Sequence, residues 1–292
     1  MSSDAFRRNS DNFCYRHPDR QSFVLCQRCL RTICPECQTQ GPVGVICPEC
    51  MAQQRTSQSA AQRKAERRWA RSRPAVVRDS RPLATYAIIG ITAIAYFVTI
   101  IPGVGDIVRS ALLFWAPALY PQFTGTFEPW RIFTVALTHS SIWHIGLNML
   151  ALWLIGRSLE PLLGRWRFVA LYLLSTMGGS AAVALLSVGT PVVGASGAIF
   201  GLFGALIVIG RHIGANIAGI AIILGINLAI GFVPGFNVSW QAHVGGLVVG
   251  LAVGFIFTRT TAARQQRLQI ILLAAVGLVL AGLFFVPPFL YA

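Results

Sequence analysis

Residues 242–259 read AHVGGLVVGLAVGFIFTR, an almost unbroken apolar run with one imidazole at its start and a glycine every few positions. A run of this length and composition is a helix that crosses a bilayer, because about 20 apolar residues span the hydrocarbon core and lipid leaves a bare backbone unsatisfied. Gly246 and Gly250 form a small-xxx-small pattern, which lets a second helix approach closely. An ionisable group in such a segment is costly and needs a reason, so His243 is the first candidate for function.

Six further apolar segments surround this one. They lie near 83–101, 132–155, 167–187, 196–210, 213–232 and 268–286, which makes seven with 241–258. Of the 292 residues 54% are hydrophobic, 12% are charged, and the mean hydropathy is +0.62. Soluble domains carry about twice that charged share. The expected fold is an all-α membrane protein over residues 83–292. A basic linker at 53–82 and a small Cys-rich domain at 1–52 precede it. No secretory signal peptide is read, since the first apolar stretch begins near Leu83.

The net charge of +14 is uneven: residues 1–82 hold 15 of the 24 Lys and Arg. A pI near 10.5 raises nucleic-acid binding. The basic run instead directly precedes a hydrophobic span, where Arg clusters set topology and meet anionic lipid. No nucleic-acid partner is therefore expected. With the N-terminus in the cytoplasm, Arg157, Arg165, Arg167, Arg211, Arg259, Arg264 and Arg267 fall in cytoplasmic loops, and only Arg109 and Arg131 fall outside. The C-terminus at Tyr291 and Ala292 is then external. The loop from Pro102 to Trp130 carries Trp115, Tyr120, Phe123, Phe127 and Trp130, a composition suited to the membrane interface.

All seven cysteines lie between residues 14 and 50. With His17 they form four pairs of one spacing: Cys14 and His17, Cys26 and Cys29, Cys34 and Cys37, Cys47 and Cys50. A two-residue gap lets both side chains of a pair turn onto one ion, and eight ligands fill two tetrahedral zinc sites. A disulfide cluster is the competing reading. It is disfavoured by the odd number of cysteines and by the expected cytosolic location. Four protein ligands leave no open position, so the two zinc ions are structural. The segment resembles B-box-like double-zinc modules, which often cross-brace their pairs; the spacing leaves the pairing open. A cytosolic protein partner for the module is expected.

The polar groups within the membrane segments are few. His139, His144 and Asn148 fall in the second, Ser196 opens the fourth, and His243 opens the sixth. His144 and Asn148 are four apart and share a helix face. Asn148 alone could serve as an interhelical hydrogen bond, and Ser196 as a helix cap or packing serine. His139 reads as a structural histidine bonding loop backbone. Ser196 sits in Gly194-Ala195-Ser196-Gly197, with Gly201 and Gly204 following, so two glycine-faced helices would bring Ser196 and His243 together.

Taken in order, Glu128-Pro-Trp130-Arg131, His139, His144-x-x-x-Asn148, Gly194-x-Ser196-Gly197 and Ala242-His243-x-x-Gly246-x-x-x-Gly250 resemble the rhomboid protease family. The likeness runs from about Leu83 to Arg259. It implies a six-helix bundle with one additional C-terminal helix. It also implies an intramembrane serine protease in which Ser196 is the nucleophile and His243 the general base. His144, Asn148 and the Ser196 N–H would form the oxyanion hole, and catalysis would need no cofactor. The resemblance makes Trp130-Arg131 and Glu160 structural and places Phe200, where Tyr is common, beneath the histidine. Substrates would be transmembrane proteins cut near the external face, entering by a gate near Gly225–Trp240 with breaks at Gly231, Pro234 and Gly235. A multi-pass cell membrane protein, bacterial in origin, is expected. The alternatives are an inactive relative that binds membrane clients and a transporter or channel. The latter would show charged pairs or repeat symmetry in its spans.

Overall fold

In a computed structural model of the chain, residues 10–41, 44–57, 81–231, 233 and 238–291 are described. They fall in two compact units, divided between Glu66 and Arg67. Most of the linker at 53–82, and Pro234 and Gly235 of the expected gate, lie outside the described residues.

The first unit has two antiparallel hairpins, β1 (Phe13–Cys14) with β2 (His17–Gln21) and β3 (Thr39–Gly41) with β4 (Gly44–Ile46), followed by α1 (Pro48–Ser57). Cys14 pairs with His17 across the first turn. Cys34 and Cys37 flank a short 3-10 turn, and Cys47 directly precedes α1. Among the described residues, the buried apolar cluster here consists of cysteines and Ile33, edged by Tyr15, Val45 and Ile46. A domain of this size has too little apolar area to fold on a core alone.

The second unit is helical: α2 (Leu83–Thr99), α3 (Gly105–Leu112), α4 (Ile142–Leu163), α5 (Arg165–Leu186), α6 (Ser196–Ile213), α7 (Ala218–Ile230), α8 (Trp240–Arg259) and α9 (Gln266–Leu283). Among the described residues, five helices are long and apolar enough to cross a membrane: α4, α5, α6, α8 and the stretch Ala263–Leu290 that contains α9. The apolar helices α2 and α7 are shorter. Large apolar side chains such as Leu147, Ile222, Val248, Leu278 and Phe289 are exposed on the outside, as lipid-facing residues should be.

The second apolar segment differs from its predicted span of 132–155. Short turns occupy Arg131–Thr134 and Val135–Leu137, Thr138 is extended, and the long helix starts only at Ile142. The reason is local. Ser141 is extended and its side chain accepts the His144 N–H, which caps the helix there. The other end stops at Gly164, which has a φ of +82°.

Polar groups fasten the helix ends. The Glu160 carboxylate, 2% exposed, accepts the N–H groups of Ala84 and Thr85 at 2.9 and 2.8 Å and the Thr85 hydroxyl at 2.7 Å. It thus caps α2, whose first N–H groups have no partner of their own. Gln269, 1% exposed, accepts from Arg167 Nε at 2.6 Å and donates to the Thr260 carbonyl and hydroxyl, which ties α9 to α5 and to the end of α8. Arg131 donates to Glu128 and to the Ser110 and Leu113 carbonyls, and Trp130 Nε1 donates to Ala111. The tryptophan and arginine therefore hold the 102–130 loop, the structural role expected of them.

Candidate active site and metal centres

Helices α6 and α8 run parallel and meet backbone to backbone. A Cβ on Gly246 would collide with the Gly197 carbonyl, and one on Gly250 with the backbone of Gly201. Only hydrogen fits at these crossings, as in other close helix pairs. Because Gly197 follows Ser196 and Gly246 lies one turn after His243, this packing brings the serine and histidine to the same end of the bundle.

Ser196 is the first residue of α6 and is half-buried. It is not the helix cap, a position held by Ala195, and its hydroxyl makes no hydrogen bond among the described residues. The turn before it is pinned: Gly194 N–H donates to the Val135 carbonyl at 3.0 Å, and Ala195 N–H to His139 Nε2 at 3.4 Å. His139 is 2% exposed and outside the helix, so it serves the loop backbone, as its sequence context suggested. Gly194 has a φ of +120°, which a side chain rarely tolerates. The point where its Cβ would sit lies 2.8 Å from His144 Nε2 and 3.7 Å from Ser196 Oγ. The imidazole and the hydroxyl therefore border one small space that the glycine keeps open.

His144 Nδ1 faces the Ser140 hydroxyl at 3.1 Å and the Ser140 N–H at 3.5 Å. With Nδ1 accepting, the hydrogen resides on Nε2, which then donates toward the space beside Ser196; the tautomer follows from these partners. Asn148 is buried. Its Nδ2 donates to the His144 carbonyl at 2.8 Å, and its Oδ1 has no protein partner.

His243, 6% exposed, lies in the first turn of α8, which Ser239 caps by accepting the Ala242 N–H. The Phe200 ring stacks on the imidazole, centroids 3.9 Å apart and planes 13° from parallel. His243 Nδ1 is buried without a protein partner, and no hydrogen bond joins His243 to Ser196 among the described residues. The sequence reading missed two supports of this site, Ser140 against His144 and Ser141 as the cap. The pair Ser140-Ser141 ahead of an apolar run was a visible helix-start signal.

In the first unit, the ligand pairs combine first with third and second with fourth. Cys14, His17, Cys34 and Cys37 form one cluster and Cys26, Cys29, Cys47 and Cys50 the other, the ligand atoms of each lying within 4.8 Å of one another. His17 Nδ1 is 3.3, 3.4 and 3.8 Å from the sulfurs of Cys34, Cys37 and Cys14, and the Cys29 and Cys47 sulfurs are 3.8 Å apart. A tetrahedron with bonds of roughly 2.3 Å to sulfur and 2.0 Å to nitrogen has edges of about 3.8 Å between sulfurs and 3.5 Å between nitrogen and sulfur. All seven cysteines are free thiols. Both clusters could therefore hold a metal ion.

Their electrostatics agree. Burial pushes the Cys14 and Cys26 thiols up, but backbone N–H groups aimed at their sulfurs outweigh it and bring both down to about 6. Burial and neighbouring thiols push Cys37 up to about 11 and Cys50 up to about 12. Four adjacent ligands cannot all ionise without a cation between them.

Residues 126–260 match the Rhomboid domain family. The match covers the elements bearing His144, Asn148, Ser196 and His243, so this part of the second unit is similar to Rhomboid domains, and with its apolar helices it supports a multi-pass membrane protein. Among its relatives, the Rhomboid protease GluP of Bacillus subtilis (strain 168) is 34% identical over 221 residues, covering 72% of this chain and 42% of that protein. RHOMBOID-like protein 1 of Arabidopsis thaliana is 39% identical over 137 residues, 44% of this chain and 35% of its own. Rhomboid protein 1, mitochondrial, of Saccharomyces cerevisiae (strain ATCC 204508 / S288c) is 34% identical over 152 residues, 46% and 44% of the two chains. The chain spans less than half the length of each of these relatives.

Proposed function

We propose that the chain is a seven-span rhomboid-type serine endopeptidase that cuts transmembrane proteins near the external face of a bacterial cell membrane. The observation that carries this reading is the convergence of Ser196 Oγ and His144 Nε2 on the space at Gly194, beside a His243 held flat against Phe200. In the proposed reaction His243 Nε2 takes the Ser196 proton as Oγ attacks the scissile carbonyl, and returns it to the leaving amine. His144 Nε2–H, Asn148 Nδ2–H and the Ser196 N–H stabilise the oxyanion. No aspartate follows Asp106, and the two later glutamates are engaged elsewhere, Glu128 with Arg131 and Glu160 with Ala84 and Thr85, so Phe200 packing rather than a carboxylate orients the imidazole.

The same reading places the N-terminus in the cytoplasm, with residues 1–52 as a zinc domain that holds two structural ions and offers a surface to a cytosolic partner. Zinc suits a donor set of seven thiols and one imidazole. The proposal gives zinc no part in peptide hydrolysis.

The test compares wild type, Ser196→Ala and His243→Ala in detergent, using cleavage of a reporter transmembrane substrate and labelling by a fluorophosphonate probe. Wild type should cut and be labelled, and both variants should do neither. The absence of a hydrogen bond between Ser196 and His243 favours a second reading, client binding without proteolysis. Substrate capture by wild type without cleavage or labelling would establish that reading. Equal cleavage by wild type and Ser196→Ala would remove Ser196 from its role.

A further inference from the structure

The segments on either side of the Rhomboid match, 102–125 and 263–291, are joined by a contact that the proposed chemistry does not use. Tyr120 is 7% exposed, and its hydroxyl donates to the Phe284 carbonyl at 2.8 Å. Phe284 caps the end of α9, so its carbonyl is one that a helix terminus leaves without an internal partner. Burial pushes the Tyr120 phenol up to about 12, which keeps it a donor at physiological pH.

The loop that carries Tyr120 also grips the serine turn. Phe114 and Val192 exchange both backbone hydrogen bonds, at 2.9 and 2.7 Å. Val192 lies two residues before Gly194, which is itself bonded to Val135. Phe114, Tyr120, Val135, Ala242 and Phe284 belong to one buried apolar cluster. The end of α9, the 102–130 loop, the serine turn and the first turn of α8 are therefore linked without a solvent gap. A second latch, Tyr291 Oη to the Leu185 carbonyl at 2.7 Å, reaches the end of α5 instead.

We infer that Tyr120 is a positioning residue: its clasp on Phe284 lets the last helix hold the 102–130 loop, and through the Phe114–Val192 pair the Gly194–Ser196 turn, in register with His243. The inference rests on the protease reading. The partners of Tyr120 are the Phe284 carbonyl and the Phe123 ring, not the groups that border the space beside Ser196, so the clasp should govern turnover rather than substrate affinity.

The test uses the full chain in detergent with the reporter substrate and the fluorophosphonate probe, at a temperature where every variant is folded. Tyr120→Phe keeps the ring and removes the donor. It should lower kcat and the labelling rate of Ser196 together by roughly 3- to 30-fold, in line with the cost of small misplacements at a reacting centre, and leave KM within about twofold. Tyr291→Phe removes the other latch and should cut and label as wild type does. The inference is overturned if Tyr120→Phe matches wild type in both rates, if its defect lies in KM alone, or if Tyr291→Phe loses as much. In those three cases wild-type cleavage beyond Ser196→Ala leaves the protease reading standing. A wild type that neither cuts nor labels overturns both.

Discussion

Replacing Gly246 by alanine is expected to silence the site although it removes no polar group. The added methyl would meet the Gly197 carbonyl well inside contact distance, with the Gly197 Cα also only 3.2 Å away. These are backbone atoms that no rotamer change can move. Restoring contacts of about 3.5 Å requires α6 and α8 to part by roughly 1 Å or more. The overpacking costs about 1–3 kcal/mol of stability. The larger effect is on geometry, because Ser196 and His243 stand on the two separating helices, and a 1 Å displacement costs on the order of 100-fold in rate. Gly197→Ala provides the graded comparison. Its methyl meets the Ala242 carbonyl oxygen at 3.2 Å and the Gly179 Cα at an ordinary 3.7 Å, a crowding relieved by a few tenths of an ångström, and about a tenfold loss or less is expected. Gly90→Ala is the control, since nothing lies within 4 Å of its added methyl. Reporter cleavage gives the rates, and thermal unfolding in detergent separates them from stability. Gly246→Ala cutting as fast as Gly197→Ala would refute the claim that this crossing sets the distance between the two side chains.

Phe200→Ala should lower turnover about 10-fold or more by freeing the imidazole, since a stacked pair contributes about 0.5–1.5 kcal/mol beyond its buried area; Phe200→Tyr should stay near wild type in the reporter assay. Glu160→Gln should cost about 1.5–3 kcal/mol by weakening the charged cap on Ala84 and Thr85, seen as a lower melting temperature. Metal analysis of the purified chain should find two zinc ions, and chelation should abolish the protected amides of residues 10–57 in hydrogen exchange while sparing those of α6 and α8. Zinc must displace protons from thiols as high as about 11 at Cys37 and 12 at Cys50, so its apparent affinity should fall as pH falls; metal titrations showing no loss between pH 8 and pH 5 would contradict thiolate ligation.

The sequence carried the helix contacts and the metal-ligand pairs more fully than it carried the boundaries. The glycine spacing after Ser196 and His243 announced two helices in contact, because a glycine stripe within a lipid-facing segment has few other uses. The metal pairs were equally visible, since ligand spacing is a local property. Which pairs share an ion was not visible, because that depends on how the two hairpins fold over each other. The start of the second long helix was misplaced by about ten residues for a related reason. The apolar residues from Ile132 to Leu137 look like part of the same run, but Thr138-His139-Ser140-Ser141 interrupts it and the Ser141 cap starts the helix after that break. The contact between Tyr120 and Phe284 lay beyond any pattern, since its partner is a backbone carbonyl 164 residues away.

Some polar groups buried in the helical unit serve to fasten it. Glu160, Arg131 and Gln269 each satisfy two or more partners, and each fastens a loop or a helix end. Asn148 Oδ1, His139 Nδ1 and His243 Nδ1 are buried with no protein partner, but so are Thr92 Oγ1, Arg109 Nε, Tyr172 Oη and Ser175 Oγ in the same unit. An unpaired polar atom in an apolar interior costs about 1–3 kcal/mol, so lack of a partner does not by itself mark any one of these seven as functional. The proposed chemistry needs donors rather than acceptors, since an oxyanion's demand for donors rises during reaction, so Asn148 could serve it only through its second Nδ2–H, the first being given to the His144 carbonyl.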